Sequence, residues 1–171
     1  AVPPQHLAAV IAEALETYPH ATVTDVGSVK GVVLGALRRM DVDLGRYCGS
    51  HPMAGSQKAG PMTASADLFV DRTWVVTPHD TSIAQSVLVV NKLAEQCGAR
   101  LVSMGAQHHD EAVGQVSHIP QLMSALVAGG LLDLPPEHLR LAGQGLRDVT
   151  RIAGGDPKLW RQIIAANSRA L

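Results

Sequence analysis

The stretch TWVVTPHDTSIAQSVLVVNKLAEQCGARLVSM, residues 73–104, contains the pattern that decides the fold. Its first five residues are rich in β-branched side chains and predict a strand, residues 73–77, which Pro78 ends. Residues 81–96 then repeat apolar side chains at helical spacing, and residues 99–104 predict a further strand. A strand, a helix and a strand in this order are typical of an open, mostly parallel sheet covered by helices.

The same alternation is found toward the N-terminus. A helix is predicted to begin at Pro4, because proline is tolerated at the first helical position and leucine, isoleucine and valine follow at helical spacing. Residues 21–26 predict a strand, and Ser28 after it is a candidate N-cap for a second helix. Residues 46–50 predict another short strand, followed by a loop rich in glycine, proline and serine, residues 52–65.

Strand signals stop after residue 104. A long helix is predicted from residue 108 to about residue 132, bent near Pro120, and further helices are predicted to begin at Pro135, Gly145 and Asp156. The sequence therefore predicts an α/β part, residues 1–104, and an all-α part, residues 105–171.

Charge and composition exclude several classes of partner. The 171-residue chain has a net charge of −1, so we expect no nucleic acid or acidic membrane surface as a partner. No apolar run approaches the roughly 18–20 residues of a membrane span, and no basic segment precedes an apolar one as in a signal peptide. Cys48 and Cys97 are far apart in sequence, which indicates two reduced thiols in a cytoplasmic protein.

Polar clusters follow the predicted strands, where open α/β sheets bind ligands. They are residues 25–30, residues 50–55, and the pair Thr77 and Pro78. Ser28 alone is more simply read as a helix cap. His51 stands before a proline and a glycine-rich loop, a setting more typical of a general base than of a core histidine.

A second group of histidines lies in the predicted long helix. His109 and His118 fall on opposite helix faces at about 100° per residue, and His108 lies well round from His118. No pair has the i, i+4 spacing of a helical zinc site, so we expect no metal. Small neighbours leave space beside His118 for a ligand, whereas His108 and His109 fit an ordinary polar helix face.

The third cluster is RDVTR, residues 147–151, with Trp160 further on. Arg147 and Arg151 share a helix face, and Asp148 could hold Arg151 in place. Such a charge run is usually solvated. The functional reading is a fixed guanidinium that binds a carboxylate through two parallel hydrogen bonds.

Together these clusters resemble one family. TDVGSVKG (residues 24–31), HPMAG (51–55), SHIP (117–120) and RDVTRIA (147–153) stand in this order and at this spacing in prephenate/arogenate dehydrogenases, and Asp156-Pro157 followed by Trp160 is also similar. The resemblance implies the C-terminal half of a Rossmann-type parallel sheet followed by an all-α dimerisation domain. It also implies a homodimer that uses NAD or NADP to decarboxylate prephenate or arogenate oxidatively, in tyrosine biosynthesis.

The resemblance also assigns roles to residues. His51 would be the base acting on the substrate's 4-hydroxyl, and Ser28 would orient it near the nicotinamide. Arg151 would bind the ring carboxylate, with His118 near the substrate side chain. Further pocket residues would be Arg147, Asp148, Trp160 and Gln121, and those expected along the cofactor are Asp25, Ser28 and Pro78.

Two departures from the family pattern leave alternatives open. The glycine-rich dinucleotide fingerprint is expected before residue 1, and the choice between NAD and NADP depends on that segment. Many prephenate-preferring members carry a histidine at the position of Gln121. One alternative is a non-catalytic fragment that serves as a helical dimerisation module. The other is a different Rossmann-plus-helical hydroxyacid dehydrogenase, although no lysine follows Gly129-Gly130 as expected there.

Overall fold

The computed structural model describes residues 2–55 and 64–171. Its α/β part contains three helices, α1 (Pro4–Thr17), α2 (Gly31–Arg39) and α3 (Ala84–Gln96), and three strands, β1 (Gly49–Pro52), β2 (Thr73–Thr77) and β3 (Arg100–Ser103). The predicted α/β part followed by helices is confirmed. Most of the predicted loop, residues 56–63, lies outside the described residues.

The three strands form one sheet in the order β1-β2-β3. β2 and β3 are parallel, as expected for strands joined by a helix. β1 runs antiparallel to β2, with Gly49 opposite Thr77 and His51 opposite Val75. The sheet is therefore mixed, and the C-terminal end of β1 lies beside the N-terminal end of β2.

The segment predicted as a strand at residues 21–26 is not a regular strand. It lies parallel to the chain that enters β1, but it forms a single bridge, between Val23 and Tyr47. The backbone N–H of Ser50 still donates to the carbonyl oxygen of Asp25, 3.2 Å away. At Asp25 the chain turns, because the side chain accepts from the N–H of Gly27 at 2.8 Å.

The main core joins the two parts of the chain. Leu7, Ile11 and Leu15 recur every fourth residue along α1, and all three are buried. They pack with Val33 and Leu37 of α2 and with Ile163 of the last helix, so that the C-terminal helix stabilises the α/β part. A second core lies between the sheet and α3, formed by Cys48, Trp74, Val76, Val90 and Ala94.

The all-α part contains five helices, α4 (Ala106–Val113), α5 (Ile119–Gly130), α6 (Pro136–Leu139), α7 (Gln144–Thr150) and α8 (Pro157–Ala166). A π-helical turn, Gly114–His118, joins α4 to α5, so the predicted bend lies just before Pro120. The Asp156 carboxylate caps α8, as predicted, by accepting from the N–H of Lys158 at 2.9 Å. Within residues 2–55 and 64–171, no helix is long and apolar enough to cross a bilayer.

Candidate functional site

A continuous chain of hydrogen bonds connects the sheet to α4. Nδ1 of His51, in β1, lies 2.9 Å from Nε2 of His109, and the two rings meet edge to face with centroids 5.1 Å apart. Nδ1 of His109 lies 2.8 Å from Oδ1 of Asp110. His109 has no exposed surface. The prediction that it belongs to a polar helix face is therefore wrong, whereas His108 is exposed as expected.

The carboxylate of Asp110 also caps α2 from outside that helix. Its Oδ1 accepts from the N–H of Lys30 at 2.8 Å, and its Oδ2 accepts from the N–H of Gly31 at 2.7 Å. A Cβ at position 31 would lie only 2.9 Å from Oδ2, so glycine permits this approach. The prediction that Ser28 caps the helix is wrong, because no side chain of its own segment caps α2.

The surroundings of His51 favour its neutral form. Burial lowers the pKa of His51 to about 3; His109, Lys30 and His118 act in the same direction, and Asp110 opposes them. Burial acts to raise the pKa of Asp110, but hydrogen bonds from His109 and from the backbone of α2 outweigh it and lower that pKa. The neutral imidazole of His51 is therefore joined through His109 to a carboxylate that stays ionised.

A second buried histidine, His118, has a fixed orientation. Its Nδ1 lies 3.0 Å from Nδ2 of Asn167, which also donates to the carbonyl oxygen of Asp110 at 2.7 Å. The ring of Trp160 contacts the imidazole of His118 edge to face, with ring centroids 6.0 Å apart. Burial lowers the pKa of His118, Asp110 opposes that shift, and His109 adds to it.

The expectation that His109 and His118 lie on opposite faces is wrong. It assumed an α-helical rotation per residue, but the π turn Gly114–His118 contains an extra residue. The extra residue changes the phase by roughly 100°. Both imidazoles are buried, and His109 contributes to the lowered pKa of His118.

The side chains of Gln121 and Trp160 both lie close to Gly155. A Cβ at position 155 would lie 2.5 Å from Nε1 of Trp160 and 3.6 Å from Nε2 of Gln121. Gln121 is buried and Trp160 is partly buried. The structure thus brings together three of the predicted pocket residues, His118, Gln121 and Trp160.

Asp25 is held by internal partners. Its carboxylate pairs with the ammonium of Lys30, accepts from the hydroxyl of Tyr47 at 2.8 Å, and accepts from the N–H of Gly27. Lys30 is itself buried and donates to the carbonyl oxygen of Ser50 at 2.8 Å. The Asp25 side chain therefore stabilises this turn, which is a different role from the predicted contact with a cofactor.

A cleft of about 410 Å³ lies beside this turn. One wall is α1, and the other contains Val26, Gly27 and Ser28, with Leu159 from α8. In the described residues Ser28 makes no hydrogen bond to His51, whose Nδ1 is bound to His109. Pro78 directly follows β2 and does not line this cleft.

The predicted arginine cluster lies on the surface of the helical part. Arg147, Asp148 and Arg151 are all exposed. Asp148 accepts from Nε2 of Gln144 at 2.8 Å, and no ion pair joins it to Arg151 in the described part of the chain. The expectation that Asp148 fixes Arg151 is therefore wrong.

Sequence reasoning missed three residues that organise this site, namely His109, Asp110 and Asn167. The adjacent histidine and aspartate were a possible signal, because a carboxylate often orients an imidazole. Asn167 carried no such signal, because its partners lie 49 and 57 residues earlier. Across residues 2–55 and 64–171, no group of three histidine, cysteine or acidic side chains is placed to hold a metal ion.

Comparison with known proteins places both parts of the chain. Residues 1–103 match the nucleotide-binding domain of prephenate dehydrogenase, and residues 105–171 match the dimerization domain of the same enzyme. The prephenate dehydrogenase of Bacillus subtilis is 33% identical over 148 residues, a match that covers 85% of this chain and 40% of the relative.

Solved structures give the same result. Prephenate dehydrogenase from A. aeolicus, in complex with hydroxyphenyl propionate and NAD+, is similar with a TM-score of 0.88 at 29% identity, covering 99% of this chain and 60% of that one. Synechocystis arogenate dehydrogenase has a TM-score of 0.79 at 28% identity, covering 99% of this chain and 62% of that one. The chain spans about half the length of the curated relatives it matches.

Proposed function

This chain belongs to the prephenate dehydrogenase family, and from that premise we propose that the complete protein oxidatively decarboxylates prephenate or arogenate with NAD or NADP. Prephenate would give 4-hydroxyphenylpyruvate, and arogenate would give tyrosine. The observation that carries the proposal is the neutral, partly buried His51, joined through His109 to the ionised Asp110. The chemistry requires a base, and the neutral form and hydrogen-bonded position of His51 support that role.

The cleft beside residues 25–28 fits the nicotinamide end of the cofactor. Its wall combines an apolar side chain, Val26, with the hydroxyl of Ser28. Gly27 has no side chain there, and a Cβ at its position would lie 2.6 Å from Cδ1 of Leu7. When bound, the nicotinamide supplies the acceptor for the hydride that leaves C4 of the substrate. The nicotinamide would be held by Val26, Gly27 and Ser28. Asp25 would act indirectly, because its side chain fixes the turn that contains them. Pro78 would lie at the C-terminal end of β2.

His51 would accept the proton of the substrate's 4-hydroxyl. As the hydride leaves C4, the hydroxyl becomes a carbonyl and must lose that proton, and the loss of carbon dioxide then makes the ring aromatic. Because the pKa of His51 is lowered to about 3, the imidazole is unprotonated across the physiological range. At these pH values the imidazole of His51 is therefore in the form that can accept a proton.

The residues around His118 would hold the rest of the substrate. His118, Gln121 and Trp160 lie together and present imidazole, amide and indole groups. Arg151, Arg147 and Asp148 are exposed on the helical part. In our proposal Arg151 binds the ring carboxylate, and Asp148 contributes to the pocket across a dimer.

The surface of α5 supports a homodimer. Met123, Leu126 and Val127 follow one another at helical spacing and are all exposed. An apolar stripe of this kind is typical of an interface rather than of a free surface.

Cys48 and Cys97 are both free thiols, which fits a reducing, cytoplasmic setting.

The test is the variant His51→Asn in the complete protein. We expect kcat to fall by about 10²–10⁴, the usual contribution of a positioned base, with KM nearly unchanged. Arg151→Ala should instead raise KM strongly. His108→Asn is the matched control, because His108 is an exposed histidine of α4, and it should leave both constants unchanged. Near-normal kcat in His51→Asn would contradict the proposal.

The acid limb of the kcat profile refines this test. An ordinary imidazole predicts a limb at about pH 6–7. The burial of His51 lowers its pKa to about 3, so the limb that belongs to His51 should lie well below pH 6.

A further inference from the structure

We propose that His109 and Asp110 are positioning residues that fix the tautomer of His51, so that the proton-accepting nitrogen is its Nε2. The inference rests on the proposed function, since it concerns the same base. It is carried by the unbroken contacts from His51 through His109 to Asp110.

The direction of the first hydrogen bond follows from Asp110. An ionised carboxylate only accepts hydrogen bonds, so Nδ1 of His109 must carry the hydrogen in the 2.8 Å contact with Oδ1. Two backbone N–H groups, of Lys30 and Gly31, donate to the same carboxylate at 2.8 and 2.7 Å. They hold the carboxylate in place and favour its ionised form.

The next link transmits this choice to His51. In our proposal His109 is neutral; a neutral imidazole carries one hydrogen, so with Nδ1 of His109 protonated its Nε2 is an acceptor. The 2.9 Å contact then requires that Nδ1 of His51 carries the hydrogen and donates it. The lone pair of His51 is left on Nε2, the ring nitrogen that does not face His109.

The same chain receives charge when His51 takes up a proton. The substrate hydroxyl would transfer its proton to Nε2 of His51, and the imidazolium would still donate from Nδ1 to His109. That proton can move on to Nε2 of His109, which leaves His51 neutral and His109 positive beside the Asp110 carboxylate. No electrons are transferred in these steps, since the hydride goes separately to the nicotinamide.

Burial makes this arrangement specific to these residues. His109 has no exposed surface, so water does not compete for its ring nitrogens. The charged and titratable groups that act on His51 are His109, Lys30, His118 and Asp110. The carboxylate of Asp110 is the one negative charge in that set, and it is bound directly to His109.

The first experiment measures which ring nitrogens carry hydrogen, by 15N NMR of the complete protein with labelled histidine. In the wild type we expect His51 to be protonated at Nδ1 and bare at Nε2. In Asp110→Asn, an amide nitrogen at the Oδ1 position loses the bond from the N–H of Lys30 and donates to Nδ1 of His109. In that orientation both tautomers reverse and Nε2 of His51 is protonated. In serine proteases the equivalent change lowers kcat by about 10⁴, and we expect a loss of about 10³–10⁴ here with KM changed less than about threefold.

A second pair of variants avoids dependence on the cap of α2. His109→Gln keeps an acceptor that can face Nδ1 of His51, whereas His109→Leu has none. We expect the wild-type tautomer of His51 in the glutamine variant, and a kcat at least tenfold above that of the leucine variant. The control His108→Asn should match the wild type.

The outcomes separate the two proposals. An inactive wild-type enzyme on both substrates would overturn the proposed function. An active wild type with Nε2 of His51 protonated would overturn the inference alone. So would equal kcat in His109→Gln and His109→Leu.

Discussion

Nδ2 of Asn167 lies 3.0 Å from Nδ1 of His118 and fixes the tautomer of that histidine. The same Nδ2 lies 2.7 Å from the carbonyl oxygen of Asp110, which can only accept a hydrogen bond. The amide therefore donates both of its hydrogens, and Nδ1 of His118 is an acceptor. In its neutral form His118 must then carry its hydrogen on Nε2, where it is a donor.

We therefore predict that Asn167→Asp raises the pKa of His118 and destabilises the protein. A carboxylate next to the imidazole favours the charged form, while one of its oxygens would face the Asp110 carbonyl oxygen without a hydrogen between them. The cost should be about 1–3 kcal/mol in the free energy of unfolding. NMR titration and urea denaturation measure the two effects. Ser168→Asp, an exposed carboxylate one residue away, is the control and should change neither quantity.

The second prediction concerns substrate preference. Gln121 is buried beside Trp160 and His118, and a neutral amide should tolerate the ammonium group of arogenate. We expect kcat/KM for arogenate to equal or exceed that for prephenate. Gln121→His should lower the ratio of arogenate to prephenate roughly tenfold at pH 6, because a protonated imidazole repels an ammonium group. Gln107→His, on the exposed face of α4, should leave the ratio unchanged. A kcat/KM for prephenate far above that for arogenate in the wild type would contradict this prediction.

The alternation of strands and helices could be predicted from the sequence because it depends on local periodicity. β2 was predicted with its observed bounds, Thr73–Thr77, and the helix after it ends at Gln96 as predicted. The strand predicted at residues 21–26 does not form, because a strand also needs a partner that pairs with it along its length. Here Asp25 turns the chain through its own side chain after a single bridge.

The candidate site was only partly predictable, for a related reason. His51, His118 and Trp160 stand in recognisable local contexts. Their arrangement depends on contacts between distant segments, such as the Asp110 carboxylate that caps α2 in place of Ser28 from 80 residues away. The π turn, which brings His118 to the buried side, also has no clear local signature.

The third prediction concerns the buried charge of Lys30, whose exposure is 1%. Lys30→Met should lower the free energy of unfolding by about 3–5 kcal/mol, because the Asp25 carboxylate would lose its buried partner. Urea denaturation measures this change. Adding Asp25→Asn to Lys30→Met should restore part of the loss, since a neutral amide still bonds with Gly27 and Tyr47. Lys92→Met, at an exposed lysine of α3, should stay within about 0.5 kcal/mol of the wild type.

The fourth prediction concerns assembly through α5. Leu126 is 59% exposed at the centre of the apolar stripe, so Leu126→Glu should place a charge in the dimer interface and produce monomers. Light scattering at micromolar concentration measures the mass. Leu88→Glu, an equally drastic change at an exposed leucine of α3, should leave a dimer. A monomeric wild type would contradict the prediction.

The last prediction is a pH dependence of stability that belongs to His51. Its folded pKa is about 3, whereas that of an unfolded histidine is about 6.5. Between these values the unfolded chain binds a proton at this residue and the folded protein does not. Stability therefore rises with pH across this window, and acidification from about pH 6.5 toward pH 3 removes up to about 1.4 kcal/mol per pH unit.

His51→Asn isolates this contribution. His118 also has a lowered pKa, as does Asp110, and both add slopes of the same sign, but they are present in the wild type and the variant alike. The wild-type free energy of unfolding minus that of His51→Asn should therefore increase between pH 4 and pH 6 and level off above pH 7, as urea denaturation can measure. A flat difference for His51→Asn would contradict this prediction, because it would mean that His51 is protonated as readily in the folded protein as in the unfolded chain.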